Sequence, residues 1–282
     1  PGVHPERGRV IDLAHRRERA AGACHLFLLS GLGVTTGTPA VEFRAVSKSF
    51  GTRKVLDDVS LTVEVGRSIC ILGRSGTGKS VSLKTIIGLI RPDTGSVLIE
   101  GEDITGLSSR DLSRVRKRIG FLFQYAALFD SISVGENVAF PLRRHSDLAD
   151  TEIRARASHL LAQVGLDREY DKMPADLSGG MRKRAGLARA LALEPALLLA
   201  DEPSAGLDPV TAGEIDALLV TLKQQSKTTL IVVTHNIPSA RAIADELVFL
   251  HEGRIIAQGA PAVLDASDIP LVRQFMTSEG AG

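Results

Sequence analysis

The chain has 282 residues, of which 44% are hydrophobic and 24% are charged, as expected for a globular protein with a sizeable core. Its formal net charge of +1 argues against nucleic acid as a partner, and no apolar run reaches the roughly 20 residues of a membrane-spanning helix. Of the two cysteines, Cys24 and Cys70, the second lies in an apolar run, which argues against a structural disulfide and favours a reducing compartment.

The first 39 residues show no clear periodicity, and we interpret residues 1–39 as an N-terminal extension that is either disordered or not native. Arginines between residues 16 and 19, followed by the apolar stretch 20–34, imitate a secretory signal peptide. We favour the extension over export, because the motifs that follow need a cytoplasmic setting. The sequence does not begin with methionine and its first one is Met173, so we expect the natural start near Val34.

Short strands dominate the region that begins at Val41. VEFRAV and VSLTVEV alternate apolar and polar residues, which predicts strands of an exposed antiparallel sheet. SICILG is nearly all apolar, as in a buried parallel strand, and a helix is predicted from Lys79 to about Ile90, ending before Pro92. The next predicted elements are a strand at SVLIEG, a helix at SSRDLSRVRKR and a strand at IGFLFQ.

Helical periodicity replaces this pattern between about residues 134 and 164, where Gly165 is expected to cap the last helix. This block predicts an inserted helical subdomain over about residues 125–195. The elements predicted after it are a helix at 179–193, a strand ALLLAD, a helix at 210–225, a strand TLIVVTH, a helix at 238–246 and a hairpin LVFLHEGRIIAQG. Alternating strands and helices predict an α/β fold around a mostly parallel sheet.

A phosphate-binding loop is predicted directly after the strand SICIL. The residues Gly73-Arg74-Ser75-Gly76-Thr77-Gly78-Lys79-Ser80 fit G-x-x-x-x-G-K-[ST], a pattern that chance would give in about 1% of chains of this length. Glycines let backbone N–H groups surround phosphate oxygens, Lys79 supplies a positive charge for the β- and γ-phosphates, and Ser80 supplies a hydroxyl for Mg²⁺. The preceding strand and the following helix favour this interpretation over a simple glycine-rich turn.

Other strand ends also carry polar side chains. Asp201 and Glu202 follow the apolar run ALLLA, where Asp201 can hold Mg²⁺ through water and Glu202 can polarise an attacking water. His235 ends the next strand, and Gln124 ends IGFLF, where a neutral side chain can bind Mg²⁺ or the water. Because parallel strands share one carboxyl edge, we expect these residues to converge on one triphosphate. Taken singly, the acidic pair also fits a strand that meets its loop, and His235 also fits a surface residue.

A second anion-binding pattern occurs in LSGGMRKR, residues 177–184. Ser178, Gly179 and Gly180 stand at the predicted start of a helix, where free N–H groups and the helix dipole favour an anion. No strand precedes this segment, so it is not a complete phosphate loop.

Together these motifs resemble the nucleotide-binding domain of ABC transporters over about residues 41–259. The family's Walker A, Q-loop, signature, Walker B, D-loop and switch histidine correspond here to residues 73–80, Gln124, residues 177–181, residues 197–201, residues 204–208 and His235. The resemblance implies an α/β P-loop NTPase with a RecA-like, mostly parallel core, an antiparallel β subdomain and the inserted helical subdomain. It assigns residues 40–265 to this domain and residues 266–282 to a C-terminal tail.

The resemblance further implies an ATPase that uses ATP and Mg²⁺. Glu202 is then the catalytic carboxylate, with Gln124 and His235 as its catalytic companions, while Ser80, Gln124 and Asp201 serve the metal. Phe50 falls where the family stacks an aromatic side chain on adenine, although a core aromatic is the alternative.

In this family two domains form a head-to-tail homodimer, and each ATP lies between the Walker A of one chain and the signature of the other. Ser178, Gly179, Gly180 and Asp208 therefore belong to a site shared between chains. One nucleotide domain without a membrane span implies two separate transmembrane permease subunits and a peripheral position at the cytoplasmic face of the inner membrane.

The permease of such systems inserts a coupling helix beside the residues that follow Gln124. Tyr125, Leu128 and Phe129 are therefore candidate contacts, with packing inside the insert as the alternative. Residues 270–282 are expected to reach a neighbouring subunit, as the tail does in relatives.

Met181 stands where most members of the family have glutamine. LSGGM with a basic continuation, and GEN and FPL upstream, resemble the ATPase of bacterial phospholipid transport systems of the maintenance-of-lipid-asymmetry type. That resemblance implies an MCE-domain substrate-binding protein and, in some members, a small STAS-domain partner. The alternatives are another ABC importer or exporter, for amino acids, metals or other solutes, and a soluble ABC-type ATPase that acts outside transport.

Overall fold

The chain from residue 37 to residue 278, as described by a computed structural model, is built on two β-sheets. The signal-like segment, Cys24 and the expected start near Val34 lie outside the described residues. In chain order the strands are β1 (Val41–Phe50), β2 (Arg53–Val63), β3 (Ser68–Leu72), β4 (Thr94–Ile99), β5 (Glu102–Asp103), β6 (Ile119–Leu122), β7 (Leu197–Asp201), β8 (Thr229–Val233), β9 (Glu246–His251) and β10 (Arg254–Gly259).

Nine α-helices connect or flank these strands within the described residues. They are α1 (Lys79–Ile86), α2 (Ser109–Arg116), α3 (Val134–His145), α4 (Asp150–Gln163), α5 (Gly179–Ala190), α6 (Pro209–Ser226), α7 (Ile237–Ile243), α8 (Pro261–Asp265) and α9 (Pro270–Thr277). None of the helices within residues 37–278 has both the length and the apolar character required to cross a lipid bilayer.

The two sheets differ in strand direction. The smaller sheet is antiparallel with the order β2-β1-β4-β5, and the larger sheet has the order β10-β9-β3-β8-β7-β6. The larger sheet is parallel from β9 to β6, and only β10 runs antiparallel at its edge. The carboxyl ends of β3, β6, β7 and β8 therefore lie along one edge, as the α/β prediction requires.

The parallel sheet separates two hydrophobic cores, because successive side chains of a strand point to opposite faces. Ile69 and Ile71 of β3 face the core that contains the antiparallel sheet and α1, whereas Cys70 and Leu72 face the core of α3 to α7. Burial on both faces explains the nearly continuous apolar runs of β3, β7 and β8. Within the described residues Cys70 is a buried free thiol, and burial raises its pKa.

Some predicted boundaries are wrong. The helix predicted to reach Ile90 ends at Ile86, because Gly88 adopts a φ of +64°. The helix predicted over residues 238–246 ends at Ile243, since Glu246 already pairs with Ile69 in the parallel sheet. The predicted hairpin is confirmed, with left-handed Glu252 and Gly253 at its turn.

Residues 266–282 include an ordered helix packed on the domain. Val272 and Met276 of α9 are buried in the helical core, and the ring of Phe275 lies edge-on to Phe249 with centroids 4.8 Å apart. Their contact with a neighbouring subunit stays a prediction.

Candidate functional site

The loop after β3 has a backbone that only glycine permits at its two ends. Gly73 has a φ of +150° and Gly78 a φ of +105°, both in the region that side chains disfavour. A Cβ atom at Gly73 would clash with the carbonyl oxygen of Leu250, and one at Gly78 would lie 2.6 Å from that of Val55. The loop therefore rests closely on its neighbours and forms the cradle predicted for phosphate oxygens.

Lys79 projects into this cradle from the first turn of α1. Its Nζ donates to the carbonyl oxygens of Gly73, at 2.8 Å, and Arg74, at 3.1 Å, and lies 4.0 Å from Glu202 Oε1. Burial lowers the pKa of Lys79, while the charges of Glu202 and Asp201 oppose that effect. The ammonium group is thus held among oxygen atoms at the mouth of the loop.

Ser80 and Asp201 bring two oxygen ligands together. Ser80 Oγ donates to Asp201 Oδ1 over 2.8 Å, across 121 residues of sequence. Burial raises the pKa of Asp201, the hydrogen bond from Ser80 lowers it, and the nearby Glu202 raises it further. A hydroxyl and a carboxylate at this distance are the hard oxygen donors that suit Mg²⁺.

Glu202 is held at both its side chain and its backbone. Its carboxylate oxygens lie 2.9 and 3.0 Å from His235 Nδ1, and its N–H donates to the Val233 carbonyl over 2.8 Å. Its φ of +49° is a left-handed value that is strained for a residue with a side chain. The carboxylate is buried, whereas 47% of the His235 side chain is exposed. His235 therefore contacts the predicted catalytic carboxylate instead of standing alone at the surface.

Gln124 and Phe50 are also predicted site residues, and each lies at or just after the end of a β-strand. Gln124 lies in the turn after β6, which pairs with the strand that leads to Asp201. Phe50 ends β1 with 50% of its surface exposed, so the alternative of a core aromatic is wrong. Lys48 Nζ lies 5.6 Å from the centre of its ring. The stacking of Phe50 on adenine stays a prediction.

The signature residues begin helix α5, as predicted. Ser178 is the N-cap, and its Oγ accepts from the N–H of Met181 at 3.2 Å. Ser178 and Gly179 are exposed, whereas Gly180 is buried because its Cα packs on α6, where an added Cβ would lie 2.5 Å from Thr211 Cγ2. Among the hydrogen bonds of residues 37–278, none joins the signature to the loop at residues 73–80.

Asp208 caps helix α6. Its Oδ1 accepts from the N–H groups of Val210 and Thr211, both at 3.1 Å, and hydrogen bonds from Thr211 hold its pKa below the usual value. Its predicted contact with nucleotide is untested.

The sequence did not indicate the roles of two basic residues of α5, Lys183 and Arg189. Lys183 is buried and donates from Nζ to the Glu202 carbonyl over 2.9 Å, and Arg189 donates to the carbonyls of Ala126 and Ala127 at 2.7 Å each. Burial lowers the pKa of Lys183 to about 8, against the charges of Glu202 and Asp201. Sequence suggested only a basic run, because which face of α5 is buried depends on its tertiary neighbours.

The site combines a glycine-rich loop, a buried lysine, a hydrogen-bonded serine–aspartate pair and a carboxylate bound by histidine. The sequence profile described as ABC transporter matches residues 56–205. The chain belongs to the ABC transporter family. The predicted P-loop α/β fold is thereby confirmed, and so is the predicted role as an ATP-binding ATPase that energises transport.

Relatives support this assignment along most of the chain. The ATPase is 44% identical over 251 residues to the probable ribonucleotide transport ATP-binding protein mkl of Mycobacterium tuberculosis, covering 88% of this chain and 70% of that protein. It is 43% identical over 236 residues to the intermembrane phospholipid transport system ATP-binding protein MlaF of Escherichia coli K12, covering 84% of this chain and 88% of that protein.

A solved structure agrees with the fold. The ATP-binding cassette MJ0796, in a dimeric post-hydrolysis state bound to ADP and Pi, superposes with a TM-score of 0.73 at 33% identity. That comparison covers 78% of this chain and 98% of the other.

Proposed function

We propose that this ATPase energises phospholipid transport between bacterial membranes. The observation that carries the proposal is the 43% identity to MlaF, which extends over 88% of that phospholipid transport subunit. Met181 in the signature supports the same assignment. The relative mkl is named as a probable ribonucleotide transport protein, so the identity of the transported molecule is the part of the proposal that needs an experiment.

The residues of the strand edge have separate roles in the proposed hydrolysis. The cradle and Lys79 hold the β- and γ-phosphates, and Glu202 accepts a proton from the attacking water. His235 keeps the Glu202 carboxylate in place through its 2.9 Å contact. Ser80 and Asp201 fit Mg²⁺ because they offer hard oxygens in one place, and Gln124 follows the neighbouring strand as a further oxygen donor. When bound, that ion would neutralise charge on the phosphates.

The signature helix supports a site shared between two copies of the chain. Ser178 and Gly179 are exposed at the start of α5, where the helix dipole attracts a phosphate. Because they make no hydrogen bond to the cradle of their own chain among residues 37–278, we assign them to the ATP of the partner. The dimeric form of MJ0796 supports this arrangement.

A groove beside the Gln124 turn fits a helix of a permease. It has a volume of about 440 Å³ and lies between β6, α3 and α5. Its lining includes four phenylalanines and four basic residues, which are Phe121, Phe123, Phe129, Phe140, Arg116, Lys117, His145 and Arg189. Tyr125 lies two residues after the lining residue Phe123 and has 85% of its surface exposed, whereas Leu128 packs on the helical core. An amphipathic helix with acidic residues would match these properties, and its binding would hold the ATPase at the inner face of the membrane.

Two side chains fix the shape of this groove. The side chain of Asn137 is buried and bonds the backbone of Phe129 in both directions, at 2.7 and 3.0 Å. Arg189 donates hydrogen bonds to the carbonyl oxygens of Ala126 and Ala127, and both alanines adopt left-handed φ values. The loop after Gln124 is therefore preorganised for a partner.

Purification of the complex from its native membrane tests the proposal. We expect two permease subunits, an MCE-domain protein and bound phospholipid, with a STAS-domain protein as a further component. An amino-acid-binding protein in place of the MCE-domain protein would overturn lipid transport. Recovery of the ATPase without any membrane subunit would overturn a role in transport altogether.

A surface variant tests the docking groove within the same experiment. The double variant Tyr125→Asp/Phe129→Asp should lose the permease and keep ATP binding. Leu89→Asp is the matched control, because Leu89 is an exposed apolar side chain that does not line the groove. Retention of the permease by the double variant would contradict this docking site.

A further inference from the structure

Lys183 is a buried cation that the proposed hydrolysis does not use. Only 5% of the residue is exposed, and its Nζ lies 2.9 Å from the carbonyl oxygen of Glu202. Among the ion pairs of residues 37–278 with atoms within 4 Å, none involves Lys183. Within residues 37–278, its hydrogen bond is therefore to the backbone of the predicted catalytic residue.

The Glu202 peptide needs such a partner. Its left-handed φ of +49° is unfavourable for a residue with a side chain, so neighbouring contacts must maintain it. The N–H is held by Val233 on one side, and the carbonyl is held by Lys183 on the other. The carboxylate of the same residue faces His235, 2.9 Å from its Nδ1.

The position of Lys183 in the sequence gives the contact a second consequence. It lies on α5, the helix that begins at the signature residue Ser178. The helix that offers its N-terminus to the partner's nucleotide thus bonds directly to the backbone of the catalytic carboxylate in its own chain.

We infer that Lys183 is a positioning residue for hydrolysis, which fixes the Glu202 peptide from the signature helix. The inference rests on the proposed role of Glu202 as the catalytic carboxylate. The geometry carries the inference, because the hydrogen bond of the buried Lys183 ammonium within residues 37–278 goes to the carbonyl of a residue with a left-handed backbone. A displacement of the carboxylate by about 1 Å can cost about 10²-fold in rate.

The variant Lys183→Met removes the donor while keeping a long, unbranched side chain. In the purified complex we expect kcat to fall about 10- to 100-fold. The Kd for a fluorescent ATP analogue should change less than about twofold, because Lys79 and the cradle are unaltered. Lys183→Arg keeps a donor and should recover most of the lost rate. If Lys183→Met does not fold, Lys183→Leu, which also lacks a donor, replaces it under the same criteria.

Lys223→Met is the matched control for removing a partly buried lysine. Lys223 bonds Asp245 at 2.6 Å and Ser68 at 3.0 Å, remote from Glu202 in the bonding network. The Lys223→Met substitution should lower the melting temperature and leave kcat unchanged.

A double-mutant cycle separates positioning from general stability. Single-turnover hydrolysis is measured for Lys183→Met, Glu202→Gln and the double variant. If Lys183 acts through Glu202, its substitution slows the wild-type protein but adds little in the Glu202→Gln background. Equal slowing in both backgrounds, or no slowing in the wild-type protein, would overturn the inference. Near wild-type turnover by Glu202→Gln itself would instead refute the proposed catalytic role of Glu202.

Discussion

Replacing Glu202 by glutamine tests the catalytic assignment directly. The substitution keeps the shape of the side chain and an oxygen that can face His235 Nδ1 at about the 2.9 Å of the carboxylate. It removes the base that accepts the proton of water, a contribution of about 10² to 10⁴ in rate. At 1.36 kcal/mol per tenfold, the barrier should rise by about 2.7–5.4 kcal/mol.

The same substitution should not weaken nucleotide binding. Glu202 lies 4.0 Å from Lys79 Nζ, where opposite unit charges attract by about 4 kcal/mol at an effective dielectric constant of ~20. Without that negative charge, more of the lysine's potential acts on the phosphates. ATP should therefore bind at least as tightly, and the dimer with uncleaved ATP should accumulate.

Phosphate release and light scattering with ATP measure the two effects. Glu214→Gln is the matched control, since Glu214 pairs with Arg184 on the exposed side of α6. It should retain normal turnover. Turnover by Glu202→Gln within a factor of two of the wild-type rate would refute the assignment, and loss of ATP binding would refute the electrostatic argument.

Other residues give three further expectations. Ser178→Arg should leave ATP binding by the monomer intact and abolish turnover, and loss of binding in a fluorescence titration would contradict the shared site. Gly180→Ala should cost about 1–3 kcal/mol in urea unfolding, because its Cβ would lie 2.5 Å from Thr211 Cγ2, and Thr211→Ala should restore part of that loss. Burial alone would raise the pKa of Asp245, but hydrogen bonds from Lys223 and Ser68 hold it below the usual value. This stabilisation is present above about pH 4 and is lost as the pH falls through the lowered pKa, so Asp245→Asn should flatten the acid-unfolding profile.

Local sequence was sufficient for the elements whose signal lies in adjacent residues. The apolar runs of β3, β7 and β8 predicted buried parallel strands, because both faces of such a strand meet a core. The loop at residues 73–80 was predicted because glycines and a lysine at fixed spacing serve one chemical purpose. The sequence did not predict β5, which has only two residues, and it placed the end of α1 too far along the chain, beyond Gly88.

By itself, the sequence determined the chemistry available at the sheet edge and the family to which the chain is similar. Only the tertiary structure decided which charged side chains of α5 are buried, that Lys183 meets the Glu202 carbonyl, and that His235 meets its carboxylate. It also decided that Gly180 is buried against Thr211, a constraint that anion binding alone does not impose. The physical reason is that composition and spacing record what a residue can donate or accept. The partner that it reaches depends on packing between segments remote in sequence.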